Sequence, residues 1–99
     1  MRKIILILIL QLLMITNILA ADIKAGKDKS IMCSACHGAN GIGTAPGYPN
    51  LAGQKRKYLE SQLKGFRDGQ RQSPIMQPFA KDLSDEDIEN LSEYYSSLK

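Results

Sequence analysis

The sequence predicts an all-α domain of roughly three to four short helices, and three observations carry that expectation. Leu59, Leu63 and Phe66 recur at i, i+4 and i+7, the one-face spacing of a helix rather than the alternation of a strand. Ser84 stands ahead of Asp85-Glu86-Asp87, and Ile88, Leu91, Tyr94, Tyr95 and Leu98 follow, so a capped start leads into a second apolar stripe. Residues 38–54 hold five glycines and two prolines in seventeen positions, a composition that sustains neither a helix nor a central strand.

The first segment stands apart from that domain. Arg2 and Lys3 precede an apolar run from Ile4 to Ile15 that only Gln11 interrupts, and Thr16 to Ala21 supplies small residues for cleavage. Residues 1–21 therefore read as a secretory signal peptide, cut after Ala20 or Ala21. An uncleaved anchor is the other reading, because the apolar stretch sits at the short edge of a membrane span; Gln11, Thr16 and Asn17 interrupt it. Residues 22–99 then form one domain. Without Arg2 and Lys3 the formal charge of +3 falls by two, and nothing in the sequence supports binding to nucleic acid. A core this small is marginal on apolar burial alone and needs a staple.

Asp22 to Met32 reads as a short helix with Ala25, Gly26 and Ile31 on its inner face. A glycine inside a helix costs about 1 kcal/mol relative to alanine, so Gly26 points either to close approach by another helix or to simple local flexibility.

Cys33-Ser34-Ala35-Cys36-His37 follows, with Gly38 directly after it. The C-x-x-C-H spacing is that of covalent c-type haem attachment. Two thiols one turn apart can add to the two vinyl groups of one porphyrin, and the adjacent histidine becomes the proximal iron ligand. A buried haem would also be the staple that the small core lacks. The same cysteines admit other readings. A redox dithiol calls for a βαβ context that is missing here, a structural zinc site calls for four ligands, and a two-residue disulfide loop would add little stability. The chain holds two cysteines and one histidine.

The Gly- and Pro-rich residues 38–54 are long for a structureless loop in a compact domain, which points to function; wrapping the haem edge is the natural use. Pro49 is singled out because its carbonyl can accept the Nδ1–H of His37, fixing the tautomer and making the ligand more basic. Its other reading is a turn residue.

Gln54 to Asp68 is the clearest helix, with Gly69 as its stop. Lys55, Arg56, Lys57, Lys64, Arg67 and Arg71 cluster on it and just beyond it, either to steer an acidic redox partner or as a solvated face. Gln70 to Leu83 returns to loop, where Pro74 and Pro78 bracket Met76. A haem iron with one histidine has an open sixth position, and the chain offers no second histidine. Met1 and Met14 lie in the leading segment and Met32 adjoins Cys33, so Met76 is the candidate distal ligand. A packing role for Met76, or lysine ligation, are the alternatives. The last helix opens at Ser84; its acidic first turn suits the helix dipole better than a calcium site, for which loop-type ligand spacing is missing.

Residues 22–99 resemble the class I cytochromes c, particularly the short bacterial monohaem forms and the single domains of periplasmic dihaem cytochromes. The resemblance rests on Cys33-Ser34-Ala35-Cys36-His37-Gly38, Pro49-Asn50-Leu51-Ala52-Gly53-Gln54, Tyr58-Leu59 with Gln62-Leu63, Phe66-Arg67-Asp68-Gly69 with Arg71, Met76, and Leu83-Ser84-Asp85-Glu86-Asp87-Ile88 through Tyr94-Tyr95. It implies a small cytochrome c fold wrapped around one covalently attached haem, with Gly26 at a crossing of the first and last helices, opposite an aromatic such as Tyr94. It implies thioethers at Cys33 and Cys36, with His37 and Met76 as axial ligands. It also implies a monomeric periplasmic one-electron carrier, not an enzyme, serving transient partners such as a terminal oxidase, a reductase or a quinol-oxidising complex. The mild departure is before the motif, where Ile31 and Met32 stand for the apolar or aromatic residue often found there. The rival from another class is a haem enzyme or gas sensor with an open or displaceable sixth position. The lack of a second histidine and of a proton-relay cluster argues against a peroxidase.

Overall fold

The computed structural model describes Lys3 and residues 21–99. The expected signal peptide or anchor therefore falls outside the described residues, apart from Lys3 and Ala21. Among the described residues there are five helices and no strand: α1 (Ile23–Lys29), α2 (Ile31–His37), α3 (Arg56–Asp68), α4 (Met76–Ala80) and α5 (Asp85–Ser97). None of them is long and apolar enough to cross a membrane.

α1 starts because the Asp22 carboxylate accepts the Ala25 N–H at 3.1 Å, and its position is set when the Asp22 N–H donates to Asn90 Oδ1 on α5 at 2.8 Å. Its most extensive packing is against α5. Gly26 lies at the crossing, against the backbone of Asn90 and the Cβ of Tyr94, so the two helices meet with a hydrogen where other residues carry a side chain. The single helix expected over Asp22 to Met32 is broken at Ser30, whose N–H is shared between the carbonyls of Gly26 and Lys27. That break re-aims the chain. Ile31, expected on the inner face, is 73% exposed at the start of α2.

α3 buries Leu59 and Phe66 and half-buries Leu63, the stripe its spacing encodes. It stops where Gly69 takes a left-handed conformation with φ 89°, its N–H returning to the Gly65 carbonyl. α5 starts in a reciprocal capping box: the Ser84 hydroxyl accepts the Asp87 N–H, and the Asp87 carboxylate accepts the Ser84 N–H, both at 3.0 Å. Its apolar face supplies the centre of the core, with Ile88 and Leu91 at 0% and 1% exposure. Each such side chain contributes about 1.5–3 kcal/mol.

The segment expected to be wholly loop, residues 70–83, contains α4. Pro78 permits this because it is the third residue of that helix, where the missing N–H would have had no intrahelical partner. The long loop after α2 is held by its backbone. Leu51 and Ala52 donate to the Gly41 carbonyl, Thr44 donates to Cys36, and Gly53 donates to Tyr95 on α5.

Candidate functional site

α2 places Cys33 and Cys36 at i and i+3, neighbours on one helical face, and ends on His37. His37 is buried, at 7% exposure, and its Nδ1 lies 2.8 Å from the Pro49 carbonyl oxygen. A carbonyl can only accept, so Nδ1 carries the proton and Nε2 keeps its lone pair. The loop's own bonds set this contact: residues 41–52 fold back over the end of α2 and bring Pro49 to the ring. Met76 is the first residue of α4, half-buried, its N–H held by the Ser73 hydroxyl at 3.1 Å.

These residues share one cleft. A cavity of about 510 Å³ is lined by Cys33, Cys36, His37, Pro49 and Met76 together with Leu59, Leu63 and Phe66 of α3 and Leu91 of α5. Its floor and walls are thus mainly apolar, with Gln62, Arg71 and Ser73 among the polar side chains along the lining. Cys33 and Cys36 are not joined to each other. Burial pushes the Cys33 thiol above its ordinary value, and burial does the same to the Tyr95 hydroxyl nearby. Tyr95 Oη and Ser92 Oγ, both on the α5 side of the cleft, are buried without a hydrogen-bond partner among the described residues.

This donor set fits a c-type haem. Attachment calls for two neighbouring thiols, ligation for an imidazole with a free ring nitrogen and a soft or nitrogenous sixth donor, and the porphyrin for an apolar slot. α2 provides the thiols and the imidazole, α4 the methionine, and α3 and α5 the apolar walls. It does not fit structural zinc: among the described residues no group of three or more His, Cys, Asp and Glu side chains gathers as a metal site.

The basic cluster divides. Arg56 pairs with Glu60 at 2.7 Å and Glu93 at 3.3 Å. Arg67 pairs with Asp68 and Asp85 and donates to the Leu83 carbonyl, tying α3 to the start of α5. Arg71 behaves differently. Its guanidinium lies 4.6 Å from the centre of the Phe66 ring, at the cleft rather than out on the helix surface. Sequence reasoning grouped it with the surface cations because the turn that folds it back is set by Gly69, not by helical spacing.

Comparison with known proteins follows the same lines. Residues 23–99 match the cytochrome c family. The chain is 54% identical over 81 residues to cytochrome c-554(548) of Halomonas halodenitrificans, covering 79% of this chain and 98% of that protein. It is 45% identical over 80 residues to a thiosulfate dehydrogenase electron acceptor of Thiomonas intermedia, covering 80% of this chain and 37% of that one. The crystal structure of reduced recombinant cytochrome c4 from Pseudomonas stutzeri superposes with a TM-score of 0.76 at 38% identity, over 81% of this chain and 47% of that one. The chain thus spans nearly all of the first relative and less than half of the other two.

Proposed function

The chain belongs to the cytochrome c family, and from that premise we propose that it is a one-electron carrier holding a single covalently attached haem c in the cleft. Cys33 and Cys36 would hold the haem through thioethers, and His37 Nε2 and the Met76 thioether would be the donors offered to its iron. The observation that carries the reading is the 2.8 Å contact from His37 Nδ1 to the Pro49 carbonyl, in the same cleft as both thiols and Met76.

Bound haem supplies an iron that exchanges one electron between ferric and ferrous states, and His–Met ligation favours electron transfer over oxygen chemistry. The protein's part is to hold the site still. Pro49 keeps the proton on Nδ1, fixes the ring's orientation and strengthens Nε2 as a donor. Leu59, Leu63, Phe66 and Leu91 exclude water from the cleft. The Ser73 hydroxyl anchors the N–H of Met76, which sets where the methionine leaves the backbone.

Transient contacts with a terminal oxidase, a reductase or a quinol-oxidising complex suit a small monomeric carrier. The signal-like residues 1–21 support a periplasmic location, or anchorage facing that compartment if they are retained. The relative named as an electron acceptor supports transfer rather than turnover.

The test is a visible spectrum of protein made in a strain with haem-attachment machinery, in both oxidation states and with carbon monoxide. Sharp low-spin bands, a weak long-wavelength sulfur-to-iron band when oxidised, and no response to carbon monoxide are expected. A high-spin spectrum that shifts with carbon monoxide would replace this reading with a haem enzyme or gas sensor. Colourless protein would remove haem altogether.

A further inference from the structure

The Tyr95 hydroxyl is buried in the core and ends without a hydrogen-bond partner among the described residues. The residue that carries it is firmly held. Its ring lies tilted against Tyr94 with centroids 5.1 Å apart, and its carbonyl accepts the Gly53 N–H at 3.0 Å. The close crossing at Gly26 seats α5 against α1, next to the corner at Ser30 where α2 begins. Cys33 packs against the core cluster to which Tyr95 belongs, and both residues line the cleft. The two groups sense each other: burial chiefly raises the Cys33 thiol, and the Tyr95 hydroxyl draws it back. Ser30 is the other polar neighbour of that hydroxyl, and its own hydrogen is committed to the Lys27 carbonyl at 2.6 Å.

An orphaned hydroxyl in a core costs stability, so the position calls for an acceptor that the bare chain does not present. Covalent attachment creates one. The Cys33 S–H adds across a vinyl C=C: a carbon–sulfur bond forms, and the hydrogen ends on the neighbouring vinyl carbon, so no outside oxidant or reductant is needed. A thiol both donates and accepts weakly, whereas a thioether only accepts. We propose that the Tyr95 hydroxyl donates a hydrogen bond to the Cys33 sulfur once that sulfur is a thioether, so that α5 holds the attached group at its covalent link. This rests on the haem reading above. Tyr95 is then a positioning residue. It restricts rotation about the carbon–sulfur bond at Cys33, and it couples the docking of α5 to attachment on α2.

The experiment compares the haem-loaded parent with Tyr95→Phe, Ser30→Ala and the double variant, by denaturant unfolding and by the resonance Raman band of the thioether carbon–sulfur stretch. Phenylalanine keeps the ring and deletes only the oxygen, so the sign of the change is informative. Losing an unpartnered hydroxyl leaves stability level or raises it, whereas losing a bonded one lowers it. Tyr95→Phe is expected to reduce the folding equilibrium constant about three- to tenfold and to shift the carbon–sulfur band. Ser30→Ala should leave the band in place, and Tyr95→Phe should have the same effect in its background. A stability that does not fall in Tyr95→Phe would mean that the hydroxyl stays unpaired, and the proposal is wrong. A band that does not move overturns it as well. If the loss of stability then disappears in the Ser30→Ala background, the acceptor is Ser30 rather than the sulfur. Failure of the haem reading is separate: the parent would carry no covalent haem, and its visible spectrum would show this before any variant is made.

Discussion

Gly26 meets the carbonyl of Asn90 with no space for a methyl group: a Cβ at Gly26 would stand 2.1 Å from the Asn90 oxygen and 2.8 Å from the Tyr94 Cβ. The first of these obstacles is backbone, so the helices must separate before any side chain fits. Gly26→Ala gains helix propensity and still is expected to destabilise the domain by about 2–4 kcal/mol. At about 4–8 °C per kcal/mol for a domain this size, the thermal midpoint of the haem-loaded protein should fall well outside experimental scatter. An unchanged midpoint would mean that α1 and α5 can move apart freely.

The capping box makes α5 sensitive to acid. The Ser84 N–H holds the Asp87 carboxyl below the usual carboxylate range, with the Ser84 hydroxyl and Lys29 adding to it. A carboxyl depressed on folding stabilises the native state above its unfolded value of about 3.9 and loses that contribution as pH falls through the folded value. Asp87→Asn should therefore be less stable than the parent by about 0.5–1.5 kcal/mol at neutral pH, and the two should converge in acid. Denaturant titrations of the pair at several pH values read this directly; a difference that persists unchanged at low pH would assign the effect to packing.

Met76→Ala should open the sixth position. Carbon monoxide should then bind the reduced protein, and the redox equilibrium should move toward the oxidised form by more than one tenfold step, each about 59 mV. Met76→His should return a low-spin spectrum while leaving the potential below the parent's. A Met76→Ala protein that still refuses carbon monoxide and retains its potential would place another donor at the iron.

Local spacing carried much of this structure, and what it missed depended on turns. The stripe of Leu59, Leu63 and Phe66 and the box of Ser84 and Asp87 are decided within one helix, so the sequence shows them. The C-x-x-C-H run is also local, and α2 needs only one turn to make the thiols neighbours. Ile31 was misplaced because the kink at Ser30, a shared N–H among three residues, leaves no periodic trace. α4 was hidden by Pro78, which breaks a helix in its interior but is accommodated in its first turn. Arg71 was read by its place in a run of cations, whereas its direction comes from the left-handed turn at Gly69 and the ring it returns to.

The joining of α1 to α5 also sets an order of events during synthesis. The Asp22 N–H waits for Asn90, and the loop end at Gly53 waits for Tyr95, both on the helix made last among those described. Until the ribosome has delivered α5, the nascent chain has helical tendencies but no core on which to close. On the signal-peptide reading the chain repeats this order as it emerges from export, so Cys33 and Cys36 reach an attaching enzyme on open polypeptide before α5 arrives to complete the core. The late partner keeps the early thiols available.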